Sequence, residues 1–148
     1  MSNHRPADFA FTHHVRDHCL CLHVQRAARA LARRFDDVLR PIGVTQGQFS
    51  LLVSLNRAEP PTIGAVANLL ALDRTTLTAN LKPLERRGLA KVVVDADDKR
   101  SRRLILTPSG RELLATAAPV WKRAHAKAER LLKSASPDIV RAGLRELC

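Results

Sequence analysis

Tyrosine is absent from the chain, tryptophan occurs once and phenylalanine four times in 148 residues. A core built without aromatics has to use leucine, valine, isoleucine and alanine, which suits packed helices. The same shortage argues against an RNA reader, since those proteins stack bases on aromatic rings. No apolar run approaches the roughly 18–20 residues that span a bilayer. The opening stretch MSNHRPADFAFTHH lacks the uninterrupted apolar segment of a signal peptide, so a cytoplasmic location is expected. Cysteine is scarce as well: three residues, an odd number, make no disulfide framework, and a reducing compartment keeps them as thiols. Acidic residues are outnumbered by Lys and Arg, 14 against 25, which leaves a formal charge of +11. A surplus of that size calls for a polyanionic partner, nucleic acid first and an anionic membrane surface second. No G-x-G-x-x-G, G-x-S-x-G, P-loop or H-E-x-x-H occurs and the acids are scattered, so neither an enzyme nor a cofactor nor a metal is expected.

What is present is helical patterning over a length that fits one domain. Leu20, Val24, Ala27, Ala28, Leu31, Phe35 and Leu39 recur at helical spacing and predict one long helix from Val15 to Arg40. Thr45 caps a second helix that stops before Pro60, and Thr62 caps a short third one, IGAVANLL. After the turn ALD, a fourth helix runs from Arg74 to Gly88, the glycine expected just past a helix end. The period then changes to that of strands: Leu89 to Asp95, a polar turn around Asp97–Ser101, and Arg102 to Leu106. Thr107 and Pro108 restart a helix of about 25 residues, with Leu114, Ala117, Trp121, Ala124, Ala128, Leu131 and Leu132 on one stripe. Pro137 opens a last helix to Cys148.

Two short helices joined by a tight turn and followed at once by a β-hairpin make a winged helix–turn–helix. Within its second helix, Leu77, Leu81 and Leu84 face the core, which turns Thr75, Ala79, Lys82 and Arg86 outward, with Thr76 and Thr78 on the flanks and Arg74 at the start. Asn80 falls nearer the core side. Short hydroxyls and an alanine let a helix approach base edges, and a lysine reaches guanine or a phosphate, whereas an ordinary solvated face carries Glu–Lys pairs. The hairpin tip DADDKRSRR includes Lys99, Arg100 and Arg103. Arginine on such a loop suits the minor groove, although an ordinary charged turn has the same composition.

The segment TIGAVANLLALDRTTLTANLKPLERRGLAKVVVDADDKRSRRLILTPSGREL resembles the MarR family of bacterial transcription regulators. Its DKRSRRLILTPSG matches the family's wing signature, with Asp98, Arg100, Thr107 and Gly110 in the characteristic places. The resemblance covers the chain from about Val15 to its end. It implies a mainly α fold with a small β-hairpin wing and long N- and C-terminal dimerisation helices. The expected division is an arm and dimerisation helix at 1–40, a DNA-binding lobe at 41–110 and C-terminal dimerisation helices at 111–148. It further implies a homodimer on a pseudo-palindromic duplex operator, and repression relieved by a small aromatic or phenolic ligand. Arg100 then becomes the wing-tip arginine in the minor groove, and Asp98 the carboxylate that orients a neighbouring arginine. The long terminal stripes agree, because a small central lobe cannot cover them.

The stretch HCLCLH leaves three readings open: inert thiols, a thiol-reactive sensor, or part of a metal site. Cys21 is expected at the core edge of the first helix, and Cys19 on the opposite flank beside His23 and Arg26. Residues two apart on an intact helix point about 200° apart, so these two cannot chelate one metal there. One branch of the family senses organic hydroperoxides through a cysteine placed like Cys21. That branch steadies its thiolate with tyrosines, which this chain lacks. In a family-type dimer, Cys148 approaches Cys19 or Cys21 of the other copy. The resemblance also implies an effector cleft between the first helix and the DNA-binding lobe, with His23, Arg26 and Phe49 as candidate lining.

Overall fold

Most of the apolar stripes turn into helix where an oxygen-bearing side chain caps them. In the computed structural model, which describes residues 8–148, Asp8 accepts the Phe11 amide at 2.8 Å and opens α1 (Phe9–His18). The first seven positions of the expected 1–40 arm lie outside the described residues. After α2 (Leu20–Leu39) and one 3-10 turn at Arg40–Ile42, Thr45 opens α3 (Gln46–Leu55). There Thr45 Oγ1 accepts the Gln48 amide at 3.2 Å while Gln48 Oε1 accepts the Thr45 amide at 3.1 Å, a reciprocal capping box. Thr62 caps α4 (Ile63–Leu70) through the Ala65 amide at 3.1 Å, and Asp73 caps α5 (Arg74–Arg86) through the Thr76 amide at 2.8 Å. Gly88, at φ 68°, ends α5 in a left-handed turn in which the Leu89 amide reaches back to the Leu84 carbonyl at 2.9 Å.

Strands β1 (Ala90–Val94) and β2 (Arg102–Leu106) pair antiparallel, with Ala90 opposite Leu106, Val92 opposite Leu104 and Val94 opposite Arg102. The hairpin rests on the helices through Ala90, Leu104 and Leu106, all buried. It is also tied to the loop before α4, where the Leu104 amide donates to the Pro61 carbonyl at 2.9 Å. Thr107 and Pro108 start α6 (Pro108–Glu129), and Ser136 caps α7 (Pro137–Arg145). The core joins Phe35 and Leu39 of α2 to Leu51, Leu52 and Leu55 of α3, Val66 of α4 and the α5 leucines, with Leu114 and Ala117 of α6 closing it.

Three expectations are corrected. The long first helix does not run unbroken from Val15 to Arg40: it begins at Phe9 and is interrupted at Cys19, whose ψ of 108° is extended. Cys19 ends α1 and caps α2, its Sγ accepting the Leu22 amide at 3.5 Å. The His18 and His23 rings meanwhile donate Nδ1–H to the carbonyls of His14 and Cys19 at 3.0 and 2.8 Å. With Cys19 outside the helix, the 200° separation expected between it and Cys21 does not hold. Second, α6 stops at Glu129, so Leu131 and Leu132 lie beyond it, and α7 stops at Arg145 short of Cys148. Third, Asn80 is exposed rather than turned toward the core, because burial on α5 is confined to Leu77, Leu81 and Leu84. Among the described residues no helix is long and apolar enough to cross a membrane.

Candidate nucleic-acid interface

Helix α5 hides three leucines, half-buries Pro83 and exposes the other residues between them. Leu77, Leu81 and Leu84 are each at most 1% exposed, whereas Thr75, Ala79, Lys82 and Arg86 are all exposed. The three threonines are not equivalent. Thr76 donates its hydroxyl to Asp73 Oδ2 at 2.7 Å, and Thr78 donates to the Arg74 carbonyl at 2.8 Å. Thr75 has no such partner among the described residues. The Thr76 amide and then the Thr76 hydroxyl hold the Asp73 carboxyl below the usual carboxylate range, so the cap stays charged. Arg74 folds back, its Nη2 lying 3.2 Å from where a side chain on Gly64 of α4 would begin. Arg87, next in line after Arg86, is turned the other way and donates to the Gly43 carbonyl at 2.6 Å.

The wing tip is shaped by two aspartates with separate tasks. Asp98 accepts the Arg100 amide at 2.9 Å, which bends the tip; among the described residues no arginine side chain bonds to it, contrary to the expectation for it. That role falls to Asp95, which the wing signature does not single out. Asp95 is 5% exposed and accepts Nε of Arg103 through Oδ2. Its Oδ1 accepts the amides of Asp97 and Asp98 at 2.8 and 3.0 Å. These two amides and then Arg103 keep the Asp95 carboxyl below its ordinary range. Arg102 donates to the carbonyls of Lys99 and Ser101 at 3.0 and 3.2 Å. Lys99 and Arg100 are exposed, and no ion pair engages either among the described residues. A signal for Asp95 was available: an acid at the last position of a valine-rich strand needs a partner, and the facing strand is rich in arginine.

The three candidate effector residues do not converge. His23 and Arg26 border an open hollow along α2 with Arg29 and Arg33. Phe49 belongs instead to a hollow between α2, α3, α4 and α6, together with Phe35, Val53, Leu69, Trp121 and His125. Trp121 is stacked there against Phe49, Phe35 and His125, with ring centroids 6.1, 6.4 and 4.6 Å apart. All three cysteines are free thiols. Cys19 is half-buried; Cys21 is exposed rather than at the core edge, with the Gln25 amide nitrogen 3.3 Å from its sulfur. Cys148 is exposed and its Sγ lies 3.6 Å from the Leu144 carbonyl. Among the described residues no group of three His, Cys, Asp or Glu side chains is placed to hold a metal ion.

Residues 42–101, which hold α3 to α5, β1 and the wing turn, match the MarR family model. The fold superimposes on the transcriptional regulator MosR of M. tuberculosis, solved in complex with DNA, with a TM-score of 0.79 and 35% identity. That superposition takes in 88% of this chain and 93% of the other. Similarity extends to the regulator TtmR of Methylorubrum extorquens, 34% identical over 97 residues that make up 66% of this chain. The chain spans only half of TtmR's length. An organic hydroperoxide resistance transcriptional regulator of Bacillus subtilis is 28% identical over 110 residues, 74% of this chain and 75% of that one. With the helix–turn–helix, the hairpin wing and these likenesses in agreement, the chain belongs to the MarR family of winged-helix transcriptional regulators.

Proposed function

We propose that the protein is a homodimeric, sequence-specific duplex-DNA-binding regulator, acting as a repressor that a small ligand releases. The observation that carries the reading is the pair of uncommitted surfaces on one strongly basic chain. The face Thr75, Ala79, Lys82 and Arg86 presents short side chains and cations that have no side-chain partner among the described residues, and the wing tip presents two more such cations, Lys99 and Arg100. In this reading α5 enters the major groove, where Thr75 and Ala79 approach base edges and Lys82 reaches guanine or phosphate. Arg100 enters the flanking minor groove. Thr76 and Thr78, whose hydroxyl protons are already donated, serve by shape and methyl contact. The DNA complex of the MosR relative supports the same use of the fold. A mobility-shift titration with duplex from the gene's own upstream region tests it. Binding should be saturable and survive excess unrelated duplex; equal competition by any duplex would leave only a basic protein.

For the releasing ligand, the hollow around Trp121 suits a flat aromatic molecule better than the arginine-lined surface of α2, because the rings of Phe35, Phe49, Trp121 and His125 line it. Trp121 is the only tryptophan, so its emission reports occupancy directly. Aromatic carboxylates or phenols that quench it saturably should also release DNA; quenching without release would separate the hollow from regulation.

A second reading is favoured by the position of Cys19. Its sulfur caps α2 where α1 and α2 part, so modifying it removes an acceptor from the Leu22 amide and disturbs that junction. The Bacillus subtilis relative is an organic hydroperoxide resistance regulator. In the corresponding step, a thiolate of Cys19 or Cys21 attacks the peroxide, forming a sulfenic acid and releasing an alcohol. A second thiol, of this pair or of Cys148 on another copy, then displaces water to close a disulfide. Hydroperoxide should abolish the mobility shift, reductant should restore it, and the Cys19→Ser/Cys21→Ser variant should resist. Release from that variant under the same oxidant would remove the cysteines from the mechanism.

A further inference from the structure

Arg103 sits in the wing's basic run, yet its guanidinium is directed into the protein. Nε donates to the buried Asp95, and Nη1 donates to the Pro60 carbonyl at 2.7 Å. Asp95 follows directly on β1, and its second oxygen holds the amides of Asp97 and Asp98 that begin the wing turn. Pro60 lies in the loop that enters α4, and Thr62, the cap of α4, forms a β-bridge with Arg103. One side chain thus joins the end of β1, the base of the turn and the entry to the helix–turn–helix. A two-stranded hairpin is marginal by itself and takes its direction from what it is fastened to. The planar fork of arginine addresses a carboxylate and a carbonyl at once, which the single ammonium of lysine does not.

We infer that Asp95 and Arg103 are positioning residues that fix the angle of the wing against the helix–turn–helix, and that Arg103 itself does not touch DNA. The inference deepens the DNA-binding reading and rests on it for one arm of its test. Arg103→Ala should weaken operator binding through Arg100, by roughly three- to thirty-fold, in the range of coupled contacts. The Arg100→Ala/Arg103→Ala double variant should then bind no more than about twofold weaker than Arg100→Ala. Arg103→Lys should remain impaired, and Asp95→Asn, which keeps an oxygen for the two amides, should add nothing to Arg103→Ala. Losses that multiply in the double variant, with the salt dependence falling by a further unit or so, would put Arg103 on a phosphate and overturn the inference.

A second arm needs no DNA. In folded Arg103→Ala, and in Asp95→Asn should the first variant not fold, trypsin should cut after Lys99, Arg100 or Arg102 several-fold faster than in the unsubstituted protein. Circular dichroism confirms that each variant is folded. Unaltered cutting in a folded variant overturns the strut whatever the operator result. If the unsubstituted protein binds no duplex, the DNA reading fails while the cutting rates still decide the strut.

Discussion

Thr75, Thr76 and Thr78 carry the same side chain within one turn of α5, but Thr76 and Thr78 already donate their hydroxyls, whereas that of Thr75 has no partner among the described residues. The division of labour expected on DNA follows from that. Thr75→Val or Lys82→Ala should narrow the affinity gap between the operator and an operator altered at one base pair, by about 1–3 kcal/mol for each base that is no longer read. Arg100→Ala should weaken all duplexes alike and reduce the slope of log affinity against log salt by about 0.9 per wing. Competition binding at several salt concentrations separates the two patterns. Asp73 and Asp95 add a pH dependence of defined sign. Both carboxyls titrate below the ordinary value of about 3.9 because they accept hydrogen bonds in the folded chain. Their contribution is therefore complete above that value and is lost as pH falls through the depressed ones. Urea midpoints should drop below about pH 4, and the drop should be shallower in Asp73→Asn and Asp95→Asn. Equal drops in all three proteins would assign the acid sensitivity elsewhere.

Where the wing meets α6, one turn packs too tightly for any side chain. A Cβ on Gly110 would collide with the Leu89 carbonyl oxygen and stand 2.6 Å from Leu106 Cδ1. Thr107, three residues earlier, caps α6 through the Gly110 amide at 3.1 Å and ties the hairpin down by donating to the Gly88 carbonyl at 2.6 Å. Gly110→Ala should cost about 1–3 kcal/mol, as overpacking does, readable as a lowered urea midpoint. Ala at the exposed Gly143, with open space around it, should cost nothing and is the control. This part of the molecule was legible in the sequence because its signals are local. The caps Thr45, Thr62 and Thr107 act within three residues, and the leucines of α5 repeat with the helix. What escaped depends on partners far along the chain or on an unusual cap. Asp95 and Arg103 meet only once the hairpin has formed, and Phe49 parts from His23 and Arg26 only once α6 inserts Trp121. The break at Cys19 has no glycine or proline to announce it; a thiol takes the place that Ser or Asp usually fills.

The chain as a whole leaves two of its helices without a counterpart. No residue of α1 or α7 is buried, and neither packs extensively on the rest of the chain. Arg141 holds α7 to the end of α6 by bonding Glu129 and Asp138, each at 2.6 Å, while Ile139, Leu144 and Leu147 stay exposed. Leu20, Val24 and Leu31 are likewise exposed on α2, as are Leu131 and Leu132 after α6. Large apolar side chains gathered at the two ends of one chain are the pattern of a self-complementary face, in which every contact occurs twice. Burying such a residue completely stabilises by about 1.5–3 kcal/mol, and these are already partly covered; at roughly half that value each, the side chains of both copies together still offset the roughly 4–15 kcal/mol cost of association. A Leu144→Glu/Ile139→Glu variant should therefore sediment as a monomer at micromolar concentration, where the unsubstituted protein should sediment as a dimer. With the two DNA-binding lobes unlinked, the second half-site no longer benefits from a high local concentration, and operator affinity should fall by about a hundred-fold or more. A single half-site should still be bound as weakly as before, because α5 and the wing are untouched. Retention of the dimer by this variant would move the interface away from α7, and loss of half-site binding would mean that the lobe had been damaged instead.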